Sequence, residues 1–334
     1  MIRVSVVLLN DGLPSTAIGP VEVFQCAGTL WNTFVDDELQ QHFDVTTASV
    51  DGKPVRCAAP MLINAETAIG EIDGTDLVFI PTGGIDVEAM LTRHAPLVPW
   101  LKKQYEAGAM LALVCTGVAF AAAAGLLDGR RATTHWAAAS DYAQLFPKVD
   151  WQPEFLVTEH DRIFCGGGVY SAIDLALYLV EKLCGHQVAL DTARALLIDM
   201  PRTYQSGYAV LPISRPHEDT RIRRAEEWIQ ENFAQQIRLE EIAKGIGMSP
   251  RNFARRFKAA TGKLPGAYLQ ELRVAAARQR LEGGSEPIQL IGRDVGYEDL
   301  DFFREVFKRH TGMSPADYRV RFGSAFAPRI ERTL

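Results

Sequence analysis

The sequence predicts an α/β domain built on a mostly parallel sheet, followed by an all-α domain holding two helix-turn-helix units. Three observations carry this. Residues 1–185 alternate short apolar runs with helical stretches, residues 201–217 are rich in proline and serine without an apolar period, and residues 238–322 repeat themselves at an offset of fifty. The chain has 334 residues, enough for two cores. With 47% apolar and 23% charged residues it reads as globular, and no apolar run approaches the ~20 residues of a membrane helix. The predicted domains are 1–200, a linker over 201–217, and 218–322.

Taken in order, Val4–Leu9, Phe43–Ala48, Leu77–Ile80 and Met110–Val114 read as buried strands. Pro20–Leu30, Pro96–Ala107, Gly117–Leu127 and Tyr170–Leu183 read as the helices between or after them, and Asp191–Met200 as one more. The first strand runs into Asp11-Gly12 without a small-residue cleavage site, so no signal peptide is expected. The five cysteines lack C-x-x-C spacing, which predicts neither a disulfide framework nor a zinc site and fits a reducing cytoplasm. No metal and no cofactor is expected.

Charge divides the chain. Residues 218–334 hold 21 basic and 17 acidic side chains, whereas the remainder holds 14 basic and 24 acidic. A basic module on an acidic body suggests a polyanion partner. The repeat sharpens this. Phe253 matches Phe303, Phe257 matches Phe307, Lys258 matches Lys308, Thr261-Gly262 matches Thr311-Gly312, Pro265 matches Pro315, and Tyr268 matches Tyr318. In the first copy Leu239–Gly247 is a short amphipathic helix ended by glycine, and Ser249-Pro250 caps the next, Arg251–Ala260. The second copy places its helices over Ile288–Val295 and Glu298–His310. Each phenylalanine pair, four residues apart, marks a buried face, which leaves Arg251, Ala254, Arg255 and Lys258 on the opposite face, suited to a major groove.

Gly296-Tyr-Glu-Asp, Phe302-Phe-Arg-Glu-Val-Phe-Lys308 and Gly312-Met-Ser-Pro-Ala-Asp-Tyr-Arg319 resemble the signature of the AraC/XylS family of bacterial transcription regulators. The resemblance implies double-stranded DNA as a partner. It places base reading on Arg251, Ala254 and Arg255 in the first unit and on Leu300, Asp301 and Arg304 in the second, with Lys308 the counterpart of Lys258. Glu305 departs from the basic residue common at its position, so the second unit is expected to attract phosphate less.

In the N-terminal part, Ala109–Val114 runs straight into Cys115-Thr-Gly and an alanine-rich helix. This is the layout of a strand–nucleophile–helix elbow, where helix-terminal N–H groups are expected to lower the thiol pKa. Pro81-Thr82-Gly83-Gly84 follows another strand and is expected to offer backbone N–H donors to an anion or carbonyl oxygen. His135-Trp136 and, after Gly166-Gly-Gly168, Asp174 complete the candidate set. Residue chemistry alone leaves Cys115 open between nucleophile, redox-active thiol and small buried hydrophobe.

Gly19-Pro20-Val-Glu-Val-Phe24, Cys115-Thr-Gly117, Ala124–Trp136 and Gly166–Asp174 resemble the ThiJ/PfpI group of the class I glutamine amidotransferase-like fold, which implies a flavodoxin-like sandwich. The segment also resembles that of isonitrile hydratase, an enzyme whose acid corresponds to Thr16 here. A threonine does not serve as a carboxylate base near neutral pH. The two domains in this order resemble the GlxA family of AraC-type regulators. That resemblance implies a DNA-binding regulator, cytoplasmic and homodimeric, with a small-molecule effector held near Thr16, Gly83, Gly84, Cys115, Thr116, His135 and Asp174, and RNA polymerase as a further partner. The alternatives are a hydratase-like or amidase-like enzyme using Cys115 and a redox sensor acting through it.

Overall fold

A computed structural model describes residues 1–200, Gln205 and 217–323; of the expected linker, only Gln205 and His217 fall among them. The chain divides into two units, Met1–Gln205 and Ser206–Leu334.

The first unit is built on a seven-stranded sheet. From edge to edge its strands are Val157–His160, Ile163–Gly166, Met110–Val114, Leu77–Ile80, Ile2–Val7, Phe43–Ser49 and Thr67–Ala68. All pair in parallel except the first two, which are antiparallel. Both faces are buried at the centre of the sheet, which is why Leu77–Ile80 and Met110–Val114 read as continuous apolar runs. Phe43–Ser49, expected to be buried, is exposed at Asp44 and half-buried over Val45, Thr46 and Thr47 because it lies next to the edge strand. Leu77 and Phe79 enter one core with Val4, Val6, Ala112 and Val114, while Val78 and Ile80 enter the other with Val7, Leu111 and Leu113. The chain leaves Ile2–Val7 toward one edge and returns on the other side at Leu77–Ile80. That reversal opens a crevice at the strands' carboxyl ends, the usual ligand position in such sheets.

Three helices differ from expectation. The first spans Ser15–Cys26, so Pro20 lies inside it rather than at its start, and a separate short helix covers Leu30–Phe34. The helix after Cys115 is only Val118–Ala123, preceded by a 3₁₀ turn over Cys115–Gly117. The helix expected over Asp191–Met200 is His186–Leu196 and ends where Leu197 turns left-handed at φ 54°. Among the described residues no helix is long and apolar enough to cross a membrane.

In the second unit the repeat is structural. Helices Leu239–Gly245 and Pro250–Thr261 form the first helix-turn-helix, and Ile288–Asp294 and Leu300–Thr311 the second. Asp299 is the N-cap of the last of these, accepting from the N–H groups of Asp301 and Phe302, so the helix begins two residues later than expected. The repeated Thr-Gly pairs close both second helices alike. The hydroxyls of Thr261 and Thr311 each donate to the carbonyl four residues back at 2.8 Å, and Gly262 and Gly312 take left-handed φ values of 82° and 78°. Two separate cores result, one around Phe253, Phe257 and Tyr268, the other around Phe303, Phe307 and Tyr318. The helix Pro265–Gly283 serves both, sending Tyr268 and Leu269 to the first and Val274, Ala277 and Leu281 to the second.

Candidate functional site

Four neighbouring strands of the first unit end at Val7, Ile80, Val114 and Gly166, and their following loops carry most of the predicted site. Cys115 sits at the sharpest of these ends with φ 54°, a left-handed backbone that is costly for a side chain other than glycine. The elbow is therefore real. It is held from below by Gly117, where a Cβ would lie 2.2 Å from the carbonyl oxygen of Pro81. The Thr134 hydroxyl donates to the carbonyl of Cys115 at 2.9 Å, and the Tyr142 hydroxyl donates to that of Thr116, also at 2.9 Å. Tyr142 was not singled out by the sequence, because it comes from a helix 27 residues on.

The expected thiolate is not supported. Burial pushes the Cys115 thiol up to about 11, against a smaller opposing effect from the backbone N–H groups of Thr116 and His135. The six-residue helix beyond it and its 3₁₀ lead-in do not offset desolvation. At pH 7.5 Cys115 should therefore alkylate with iodoacetamide on the order of 100-fold more slowly than an unperturbed cysteine. Peptide mass spectrometry of native protein checks this; labelling of Cys115 at the rate of a free thiol would show that the site stabilises a thiolate.

Thr16 lies in the first helix beside this elbow and is fully buried. Its hydroxyl donates to the carbonyl of Leu13 at 2.7 Å, lies 3.0 Å from that of Thr82, and accepts from the Thr82 N–H at 3.2 Å. Thr116 turns its hydroxyl to Gly83, accepting from that N–H at 3.0 Å. The N–H groups of Thr82 and Gly83, expected to be free for an anion, are thus already bonded within the protein. The loop does come together as read, but as an internally satisfied polar seam. Gly84 borders it, half-buried. A small cleft opens beside the seam, lined by Leu9, Gly12, Leu13, Val55, Pro81 and Thr82.

His135 follows Thr134 and is half-buried; burial lowers its pKa, and its Nδ1 accepts from the Ala137 N–H at 3.1 Å. It is a neutral imidazole near pH 7. Asp174 is buried in the first turn of Ser171–Cys184, the helix whose Ile173 touches Gly19 of the first helix. Among the described residues no group of three His, Cys, Asp or Glu side chains could hold a metal ion.

The second unit presents a different surface. On Pro250–Thr261 the side chains of Arg251, Arg255 and Lys258 are exposed and Ala254 is half-exposed, opposite the buried Phe253 and Phe257. Arg255 is oriented by Asn252, whose Oδ1 accepts from its guanidinium at 3.0 Å. Arg256, by contrast, faces inward and pairs with Asp219 at 2.8 Å, fixing this helix to Thr220–Asn232. On Leu300–Thr311 the exposed Arg304 is bonded to Asp301 at 2.7 Å and Arg309 to Glu305 at 2.6 Å, while Lys308 is exposed and Leu300 half-exposed. The two helices are equal in length and unequal in exposed charge.

An elbow at the carboxyl edge of a mostly parallel sheet, joined in sequence to paired helix-turn-helix units, defines an α/β domain fused to a helix-turn-helix one. The comparisons agree with both halves. Residues 3–182 match the DJ-1/PfpI family and residues 242–321 a helix-turn-helix domain, so the chain belongs to the DJ-1/PfpI family and carries an AraC-type helix-turn-helix module. The HTH-type transcriptional regulator CdhR of Pseudomonas aeruginosa is 27% identical over 273 residues, 81% of this chain and 80% of that protein. An isonitrile hydratase of Pseudomonas putida is 31% identical over 148 residues, 44% of this chain and 60% of that enzyme. An AraC family transcriptional regulator from Pseudomonas putida, 21% identical, shares the fold with a TM-score of 0.50 over 59% of this chain and all of that one.

Proposed function

We propose that the protein is a transcription regulator of the AraC type that binds specific double-stranded DNA and responds to a small molecule held at the Cys115 elbow. The observation that carries it is the pair of helix-turn-helix units, each with its own core and with a basic face on Pro250–Thr261. Similarity to a named regulator across both units supports it. The protein acts as a cytoplasmic homodimer, matching two half-sites, and RNA polymerase is the partner through which binding changes transcription.

The sensor reading of the first unit rests on chemistry. A buried, neutral thiol beside threonine hydroxyls lacks the poised nucleophile and acid that turnover requires. The elbow and the likeness to isonitrile hydratase favour an enzyme as the second reading. One experiment separates them. Candidate small nitrogen compounds are screened by thermal shift, and those that stabilise the protein are added to a DNA-binding assay with product analysis. The regulator reading expects changed DNA affinity without consumption of the compound, and the same compound losing its effect in Cys115→Ala. Turnover by the wild type that disappears in Cys115→Ala establishes the enzyme instead.

A further inference from the structure

Gln205 lies in the stretch that its prolines and serines mark as a linker, yet its side chain is 2% exposed. Its Nε2, with two N–H groups to give, lies within hydrogen-bond distance of three acceptors: the carbonyl of Thr134 at 2.7 Å, the hydroxyl of Thr133 at 3.1 Å and the carbonyl of Phe155 at 3.1 Å. Its Oε1 accepts from the Trp136 N–H at 3.2 Å, and its own N–H donates to the carbonyl of Glu154 at 3.0 Å. The space is kept by Gly167, where a Cβ would lie 2.3 Å from Nε2 and 2.9 Å from Oε1.

This arrangement is specific for one functional group. Acceptors converge on the nitrogen and one donor meets the oxygen, the complement of a primary carboxamide. A carboxylate would set an anionic oxygen against two carbonyls, and an ammonium would leave the Trp136 N–H unpaired. Without an occupant the Trp136 N–H would lose its acceptor, and the carbonyls of Thr134 and Phe155 would share the Thr133 hydroxyl as their remaining donor. The same short segment also holds the elbow, because the Thr134 hydroxyl donates to the Cys115 carbonyl while the Thr134 carbonyl accepts from Gln205.

We infer that Thr133, Thr134, Trp136, Phe155 and Gly167 form a primary-carboxamide site, and that Gln205 is its resident ligand, held against the segment that supports the elbow. The site involves residues of the first unit alone, so it stands whether or not the chain regulates transcription.

The test uses the full chain and amide hydrogen exchange. In Gln205→Ala the Trp136 amide loses its acceptor, and its exchange should rise roughly tenfold or more, the equivalent of one hydrogen bond. Acetamide, close to the group deleted, should restore protection at roughly millimolar to tens of millimolar, the range for so small a ligand, while acetate should not. Gly167→Ala should lose the same protection and resist rescue, because its methyl fills the site. Unchanged exchange in Gln205→Ala overturns the proposal, as does failed acetamide rescue, equal rescue by acetate, or rescue of Gly167→Ala. Should Gln205→Ala not fold, Gln205→Met decides: it keeps the bulk without the hydrogen bonds, so protection at Trp136 should fall, and retained protection overturns the assignment.

Discussion

Phe257→Ala should unfold the first helix-turn-helix, at a cost of about 3–5 kcal/mol. The ring is fully buried and meets Phe253 and Tyr268 edge-on, each at 5.4 Å between centroids. The effect is large because the core is small: ten buried residues around Ile222, Ile229, Phe253 and Phe257 support the whole unit. A loss of this size consumes much of the ~5–15 kcal/mol that holds an ordinary domain. Phe307→Ala should do the same to the second core, where that ring meets Phe303 at 5.8 Å and Tyr318 at 5.4 Å. Urea unfolding followed by hydrogen exchange checks both variants. Phe257→Ala should lose protection first over 239–261, and Phe307→Ala over 288–311. Near-wild-type stability in either would mean that its core collapses around the void. Equal loss over both segments in each variant would mean that Pro265–Gly283 couples the two cores into one.

The helix Pro265–Gly283 that both cores share belongs to a fold much of which sequence made legible. The repeat was legible because its identities are local structural necessities. Thr261-Gly262 and Thr311-Gly312 close helices, and Phe253, Phe257, Phe303 and Phe307 fill cores at helical spacing. The elbow was legible for a similar reason: an apolar strand followed by Cys-Thr-Gly leaves few backbones to choose from. What escaped depends on partners distant in the chain. The bond of Thr116 to Gly83 spans 33 residues and that of Gln205 to Thr134 spans 71. No local pattern marks either. The direction of the Cys115 shift escaped too, since a neighbouring helix end is visible in sequence and desolvation by two packed layers is not. Pro20 misled by looking like a helix start when the preceding Leu13-Pro14 turn already supplies one, with the Ala17 and Ile18 N–H groups donating to the Pro14 carbonyl.

DNA affinity should depend unequally on the two reading helices, and Arg255→Ala should show the larger loss, about 1–3 kcal/mol with relaxed preference at one base pair. Arg255 is exposed and held by Asn252 rather than by a carboxylate, so its charge and its fork remain available to guanine. Arg251 stands a turn away, also exposed, and among the described residues no carboxylate pairs with it. Counted for its charge, whatever base it also reads, Arg251→Ala should lower the salt dependence by about 0.9 in log K against log salt when a phosphate contact is lost with it. Arg304 must first leave Asp301, its 2.7 Å partner, and Glu305 and Asp301 repel phosphate beside it. Breaking a surface pair costs little by itself, yet the remaining aspartate still sets a negative charge against the backbone of the duplex. Arg304→Ala should therefore change the salt slope less than Arg251→Ala, and Asp301→Ala should raise affinity and steepen the slope. Fluorescence anisotropy between about 50 and 200 mM salt decides the matter, a range over which phosphate contacts dominate the change. A larger slope loss for Arg304→Ala than for Arg251→Ala would assign the main phosphate contacts to the second unit. Full affinity and selectivity in Arg255→Ala would remove that residue from the base-reading set.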